Sequence, residues 1–231
     1  MKSIKTLAIA LCAGLVMVGC NNLQKGAAIG AGGGAILGAV IGKIAGNTAI
    51  GAAVGGAVGA GAGAITGKKM DKAKAEAQAV QNAHVESVTD ANGLQAVKVT
   101  FDSGILFTTG SSTLSSTAKN SLTQFSNVLK GNADCDVAVQ GYTDNAGWKN
   151  STAEQSQQKN LNLSQQRAQA VTNYLQSLGV SSTQIRSTTG FGEANPVADN
   201  STAAGKAQNR RVEVYMYASQ KMIQEAEAQA N

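Results

Sequence analysis

The sequence predicts an α+β fold for residues 85–218, in which helices pack on one face of a mixed β-sheet. Short runs of alternating apolar and polar residues, typical of half-buried strands, occur throughout this region. Between them lie two longer runs whose apolar residues recur at helical spacing. The 27 glycines, with only 4% aromatic residues in a chain of 231, further indicate that a non-globular part accompanies this domain.

Residues 1–19 have the features of an export signal, since two lysines precede the uncharged run Thr6–Gly19, which is too short to cross a bilayer comfortably. The glycine directly before Cys20 resembles a bacterial lipobox, although Met17 replaces the usual leucine. The sequence therefore predicts that Cys20 is acylated, with palmitate among its chains, and that residues 20–25 form a lipid-anchored N-terminus. By resemblance to lipoprotein sorting, the lack of acidic residues after Cys20 favours the outer membrane. The alternative is an ordinary secretory signal in which Cys20 is incidental.

Residues 26–67 contain glycines that recur every fourth residue in two arrays, which predicts two tandem small-xxx-small helices joined as a hairpin near Asn47. Each array of about 20 residues matches the thickness of a hydrocarbon core. Lipid would stabilise such glycine-rich helices, which are poor in water. The alternatives are a flexible Gly/Ala tether or a self-associating zipper in water, because Lys43 lies inside the run. This segment, residues 26–67, is called the glycine ladder below. It resembles the glycine-zipper segments of bacterial envelope lipoproteins.

Residues 68–84 are lysine-rich and then rich in alanine and glutamine, which predicts a helical spacer. Its lysines would lie either against anionic head groups or on a solvated face. Residues 85–218 contain ten basic and ten acidic side chains, so this domain is neutral. Nucleic acid is therefore not an expected partner, because its recognition needs a basic surface.

The first half of the domain predicts three strands and one helix. Val85–Thr89 and Leu94–Phe101 have strand character, and their connection carries the turn signal Asn92-Gly93. Apolar residues at three- and four-residue steps from Leu114 to Leu129 predict an amphipathic helix. Asp136–Tyr142 alternates again and predicts a half-buried strand.

The second half predicts one helix and two strands. The helix is expected to begin with Ser164 as its N-cap and to stop at Gly179. Arg186–Gly190 and Arg211–Tyr217 supply the last strands, separated by a polar loop. Residues 219–231 have helical composition and are predicted to be a C-terminal tail.

Four ordered motifs resemble the OmpA-like peptidoglycan-binding domain. They are Ile105-Leu106-Phe107, Gly141-Tyr142-Thr143-Asp144-Asn145, Asn160-Leu161-Asn162-Leu163-Ser164-Gln165-Gln166-Arg167-Ala168 and Asn209-Arg210-Arg211-Val212-Glu213. Together with the lipobox and the glycine ladder, they make the whole chain similar to OmpA-family lipoproteins of the glycine-zipper type.

The resemblance implies binding of the diaminopimelate side chain in the peptidoglycan stem peptide, which ends in an ammonium and a carboxylate on one carbon. Asp144 matches the aspartate that binds the ammonium in this family, and Arg167 matches the arginine that binds the carboxylate. An arginine fork suits a carboxylate, and a neighbouring helix N-terminus would add backbone donors. The supporting candidates by the same matching are Thr143, Asn160 and the Thr109-Gly110 backbone, with Arg210 and Arg211 as weaker ones.

The chain departs from the family pattern at two places. Thr108 stands where many members have an acid, and the stretch between Asp144 and Arg167 is longer than in many members. The inserted stretch carries Trp148, which is expected either to pack on the ligand or to lie in a surface loop. Taken singly, Asp144 would be read as a turn residue and Arg167 as a surface helix residue.

The sequence predicts no enzyme, metal site or cofactor. The single histidine, His84, precedes the domain, so no Ser-His-Asp or Cys-His set can be assembled. Cys135 is expected to be a buried or unpaired thiol, because Cys12 belongs to the signal and Cys20 to the lipid anchor.

The function expected from sequence is that of an outer-membrane lipoprotein whose periplasmic domain binds peptidoglycan non-covalently and tethers the membrane to the cell wall. Its expected partners are peptidoglycan, outer-membrane lipid and, through the glycine zipper, further copies of the chain. The alternative is a glycine-zipper oligomer that forms a pore or an assembly scaffold in the membrane, with wall binding only for positioning.

Overall fold

The computed structural model describes residues 60–89, 94–108 and 110–230. The expected signal peptide, the acylated Cys20, most of the glycine ladder and Thr109 lie outside the described residues. In chain order the elements are α1 (Ala60–Gln78), β1 (Ala83–Thr89), β2 (Gln95–Asp102), α2 (Ser103–Leu106), α3 (Ser116–Gly131), β3 (Cys135–Gly141), α4 (Ala153–Ser177), β4 (Ile185–Gly190), α5 (Ala203–Asn209), β5 (Arg211–Ala218) and α6 (Gln220–Ala230).

The five strands form one mixed sheet in the order β1-β2-β5-β3-β4. All neighbours are antiparallel except β3 and β4, which run parallel. The mixed sheet expected from the alternating strand and helix pattern is therefore confirmed. Because β5, the last strand of the chain, lies between β2 and β3, sequence-distant segments meet at the centre of the sheet.

One face of the sheet carries the hydrophobic core, as alternation along each strand requires. Val137 and Val139 of β3 and Val212 and Val214 of β5 are fully buried together with residues of α1, α3 and α4. Phe101 of β2 contacts Phe125 of α3 edge to face. The expected α+β arrangement, with helices packed on one face, is confirmed.

The segment expected to be a helical spacer is part of this folded unit. One stripe of α1, at steps of three and four residues, is buried, and its members are Ala62, Thr66, Met70, Ala73 and Ala77. Lys69, outside this stripe, pairs with Asp134 at 2.7 Å. The amphipathic character of α1 is hard to recognise in the sequence, because its lysines lie outside the buried stripe and make the segment look uniformly polar.

The C-terminal segment expected to be a tail is also folded. Helix α6 buries Met222, Ile223 and Ala226, and it packs against α1. A Cβ added at Gly61 of α1 would lie 2.8 Å from the Cβ of Ala230. Glycine is therefore required there for the close approach of α1 and α6.

Helix α4 differs most from its prediction, because it begins at Ala153 and not after Ser164. Thr152 is its N-cap, and the Thr152 hydroxyl and the Gln155 side chain form a reciprocal capping box. Ser164 lies in the middle of the helix, where its hydroxyl bonds to the Leu161 carbonyl at 2.7 Å. Gly179, at φ +89°, follows the end of the helix, as expected.

In the part of the chain that the structure describes, none of the helices has the length and apolar character needed to cross a membrane. Residues 60–67, the last part of the glycine ladder, form the first turns of α1.

Candidate functional site

The site is built where α4 crosses the ends of β3 and β4. A Cβ added at Gly141, the last residue of β3, would lie 2.2 Å from the Ser164 carbonyl oxygen. A Cβ at Gly190, the last residue of β4, would lie 2.2 Å from the Gln165 backbone nitrogen. The two glycines let α4 touch the sheet here, and Arg167 follows one turn later on the buried face of the helix.

Asp144 lies three residues beyond the end of β3 and is only 7% exposed. Its Oδ2 accepts a hydrogen bond from Arg210 Nη1 at 2.5 Å. Its Oδ1 accepts one from the Ala146 backbone N–H at 3.1 Å. The local turn and the arginine together fix the carboxylate.

Arg167 is 4% exposed, and its Nε donates to the Ser111 carbonyl oxygen at 3.0 Å. Its guanidinium lies over the Phe107 ring, 5.1 Å from the centroid. Burial lowers the pKa of Arg167 below its ordinary value, and the positive charge of Arg210 lowers it further, while Asp144 acts in the opposite direction. The three charges therefore lie within one another's electrostatic field.

The ion pair inside this cluster does not join the two main candidates, Asp144 and Arg167. Asp144 is ion-paired with Arg210, whereas no described carboxylate lies within ion-pair distance of Arg167. The expected helix N-terminus beside Arg167 is wrong, because Arg167 lies in the interior of α4, whose backbone N–H groups are used within the helix. The charged donors that the structure places at this point are therefore the guanidinium groups of Arg167 and Arg210.

Asn160, expected as a supporting ligand contact, is 4% exposed and bonded within the protein. Its Oδ1 accepts from Trp148 Nε1 at 2.7 Å. Its Nδ2 lies 3.2 Å from the Ala146 carbonyl oxygen and 3.5 Å from that of Asp144. Asn160 thus holds the loop that follows Asp144 onto α4.

Thr143, another supporting candidate, is 4% exposed, and its backbone N–H donates to the Gly192 carbonyl at 2.8 Å. Its Oγ1 is buried without a hydrogen-bond partner. The Thr143 backbone therefore joins the end of β3 to the loop after β4, which forms one wall of the site.

The loop after Phe107 forms another wall. Gly110 is exposed and adopts φ +69°, a conformation that favours glycine. The backbone carbonyl of the neighbouring Ser111 accepts the hydrogen bond from Arg167 Nε. Neither the contact of Ser111 nor that of Phe107 with Arg167 has a signal in the sequence, because both depend on how this loop meets α4.

Arg211 lies apart from the cluster, since successive strand residues point to opposite faces. Its Nε pairs with Glu213 at 2.7 Å, and its two terminal nitrogens donate to the carbonyls of Asn209 and Asn195. Its guanidinium is stacked on the Tyr142 ring, 3.9 Å from the centroid. Of the two candidate arginines in β5 and its approach, the structure brings only Arg210 to Asp144.

Two family models match this chain. The model of the OmpA family matches residues 106–210, and that of the YMGG-like Gly-zipper matches residues 1–71. The first runs from the last residue of α2 to the residue before β5, a range that includes Asp144, Arg167 and Arg210.

Curated relatives align over the same region. The "Probable lipoprotein YiaD" of Escherichia coli is 47% identical over 116 residues, which are 50% of this chain and 46% of that protein. The "Peptidoglycan-binding protein ArfA" of Mycobacterium tuberculosis is 42% identical over 93 residues, which are 40% of this chain and 26% of that protein. The chain thus spans less than half the length of these two relatives.

Solved structures share the fold. The cell wall anchor of the T6SS from Pseudomonas aeruginosa is 27% identical, with a TM-score of 0.52, covering 65% of this chain and 97% of that one. The periplasmic domain of Helicobacter pylori MotB is 18% identical, with a TM-score of 0.52, covering 66% of this chain and 90% of that one. At that identity, MotB supports the fold alone.

Proposed function

We propose, from the premise that residues 106–210 are a domain of the OmpA family, that this chain binds peptidoglycan non-covalently through the diaminopimelate of the stem peptide. Lipid on Cys20 and the glycine-rich segment would hold the chain in the outer membrane, so that wall binding in the periplasm tethers the membrane. The activity is recognition rather than catalysis.

The observation that carries the proposal is the charge balance of the cluster formed by Asp144, Arg167 and Arg210, of which Asp144 and Arg167 are buried. Arg167 and Arg210 contribute two positive charges, and Asp144 contributes one negative charge. An unpaired buried cation is costly, whereas a carboxylate that binds it in two parallel hydrogen bonds is stabilising. The cluster is therefore suited to a ligand that brings a carboxylate.

The ammonium of the ligand is assigned to Asp144. Its carboxylate pairs with Arg210 and also acts electrostatically on Arg167, and the side chain of Arg210 is 39% exposed. Arg210 can therefore turn from Asp144 towards the carboxylate of the ligand as the ammonium arrives. Binding thus replaces the ion pair between Arg210 and Asp144 by two ion pairs with the ligand. The Asp144 carboxylate binds the ammonium of the ligand, and the Arg167 guanidinium binds its carboxylate.

The relatives support wall binding in general. One is named a peptidoglycan-binding protein, and it is 42% identical over 93 residues. The cell wall anchor of the T6SS shares 27% identity and the fold. Because the cost of removing charges from water offsets much of the attraction in a buried ion pair, we expect modest affinity for one stem peptide, and effective concentration on the repeating polymer compensates.

The test is sedimentation of the purified chain with insoluble peptidoglycan. Arg167→Ala and Asp144→Ala are expected to remain in the supernatant, while their circular dichroism and melting stay close to those of the wild type. Arg186→Ala is the matched control, because Arg186 is 51% exposed and pairs with Asp136 away from the cluster. Co-sedimentation of both site variants at the wild-type level would reject the proposed site.

A further inference from the structure

The inserted stretch after Asp144 folds as a defined extension of the site. The extra turns of α4, from Ala153 onward, begin with their own capping box. Ser156 on these turns is 7% exposed, and its hydroxyl accepts the Trp148 backbone N–H at 3.0 Å. The Trp148 indole N–H donates to Asn160 at 2.7 Å. Both N–H groups of Trp148 thus donate to side chains of one helix, which fixes the ring.

The Trp148 ring is only partly buried, and it is attached to the same loop as the Asp144 carboxylate. The Lys159 ammonium lies over one face of the ring, 5.8 Å from its centroid, and donates to the Ser151 hydroxyl at 2.8 Å. A fixed, partly exposed indole with a cation over one face is an amphipathic surface, and its apolar ring area outside that contact suits a ligand group with an apolar face and a polar rim.

The spacing along α4 indicates which part of the ligand reaches Trp148. Asn160, which holds the indole, precedes Arg167 by seven residues, or about 10 Å of helix. In peptidoglycan, an alanine, a second acidic residue linked through its side-chain carboxyl and the lactyl link separate the diaminopimelate from the amino sugar, and the two residues together span at least about 7 Å when extended. A sugar ring is thus within reach of the indole while the zwitterion occupies the charged cluster.

We infer that Trp148 forms a second subsite, which takes an N-acetylated amino-sugar ring of the glycan strand. The inference rests on the proposed function, since the stem peptide must occupy the Asp144 and Arg167 site. The sugar is favoured over the intervening peptide because its ring offers the larger apolar face. The two residues of the stem peptide that precede the diaminopimelate, an alanine and an acidic residue, offer little apolar area.

The test compares two soluble ligands by titration calorimetry with the full chain: the free stem tripeptide that ends in diaminopimelate, and the same tripeptide carrying its disaccharide. The wild type is expected to bind the disaccharide form about tenfold more tightly, which corresponds to about 1.4 kcal/mol from the added contact with the indole. In Trp148→Ala this ratio falls to about one, while tripeptide binding changes by less than about twofold. Val197→Ala, which removes an exposed side chain on a neighbouring loop, keeps the ratio.

The outcomes separate the two proposals. Absence of tripeptide binding by the wild type would reject the proposed function and the subsite with it. Equal binding of both ligands by the wild type, or equal loss for both ligands in Trp148→Ala, would reject the subsite alone.

Fluorescence gives a second readout that needs no variant, because Trp148 is the only tryptophan in the chain. Its emission is expected to shift with the disaccharide tripeptide and to stay unchanged with the tripeptide. An unchanged emission with both bound ligands would overturn the subsite.

Discussion

Arg210, and not Arg167, donates to the Asp144 carboxylate, with 2.5 Å between Nη1 and Oδ2. Arg167 instead donates to the Ser111 carbonyl and lies over Phe107. The two arginines thus have different roles in the proposed exchange. Arg167 is held by the protein, whereas Arg210 occupies the place that a ligand ammonium would take.

This difference predicts a smaller effect of Arg210→Ala than of Arg167→Ala on the affinity for a diaminopimelate stem peptide. Loss of Arg210 removes one carboxylate donor but frees Asp144 for the ligand ammonium, so the two effects partly offset. We expect a loss below about tenfold, against about thirtyfold or more for Arg167→Ala, measured by calorimetry. An equal or larger loss in Arg210→Ala would contradict the exchange.

The close packing of α4 on the sheet predicts a large effect of Gly190→Ala on stability. The added Cβ would meet Gln165 N at 2.2 Å and Gln165 Cα at 2.6 Å, so the backbone of α4 must move. We expect a loss of about 2 to 3 kcal/mol in the free energy of unfolding, measured in urea.

The matched control is Gly104→Ala, because a Cβ at Gly104 meets nothing within 4 Å. Its unfolding free energy should change by less than about 1 kcal/mol. Equal stability of both variants would show that α4 is not held against the strand end as described.

The bonds of Asn160 predict that it positions the loop of Asp144. Asn160→Ala should weaken binding of the tripeptide, because the loop of the Asp144 carboxylate loses its bonds to α4. Binding of the disaccharide form should weaken at least as much, because the Trp148 indole also loses its acceptor. The emission of Trp148 in the free protein should also shift to the red, since the indole loses its buried acceptor. Asn173→Ala, at an exposed position of the same helix, is the control. Wild-type binding and emission in Asn160→Ala would exclude this role.

Burial of Asp136 predicts a pH dependence of stability. Desolvation raises the pKa of Asp136 above its ordinary value of 3.8, although Arg186 opposes the shift. Between the ordinary pKa and the raised pKa of Asp136, the folded protein keeps a proton that the unfolded chain has released. Asp136 therefore makes the free energy of unfolding fall as pH rises through this window. Asp136→Asn should therefore gain stability relative to the wild type as pH rises through the window.

Asp199 provides the control of opposite sign. Hydrogen bonds from the Ser201 hydroxyl and backbone lower the pKa of Asp199. Its contribution is present above the ordinary pKa and is lost as pH falls through the lowered value. Asp199→Asn should thus lose stability relative to the wild type as pH rises. Equal pH profiles for both variants, measured by urea unfolding, would contradict the two assignments.

The strands and the one-sided core could be predicted because alternation reports directly on a sheet with one covered face. Val137 and Val139 are an example, as both are buried in the core. The strand order could not be derived, because the place of β5 between β2 and β3 depends on contacts between distant segments.

Two helices were hidden by polar residues. The lysines of α1 mask its buried stripe, and the glutamines before Asn160 mask the start of α4. The capping-box pattern of Thr152 and Gln155 was a usable signal for the second of these starts.

The motifs identify Asp144 and Arg167 as the main candidates, but they do not predict the ion pair between Asp144 and Arg210. Which arginine reaches a carboxylate depends on the direction of the chain as it enters β5. Successive residues there point to opposite faces, so Arg210 reaches the site and Arg211 does not.

The most direct test of the central claim is a comparison of two stem tripeptides that differ only in the distal carboxylate, one ending in diaminopimelate and the other in lysine. Affinities for both are measured with the wild type and with Arg167→Ala. The wild type is expected to prefer diaminopimelate by about tenfold or more, and in Arg167→Ala the preference should fall to about threefold or less, the part that Arg210 alone supports. A preference of undiminished size in Arg167→Ala would show that Arg167 does not bind the carboxylate.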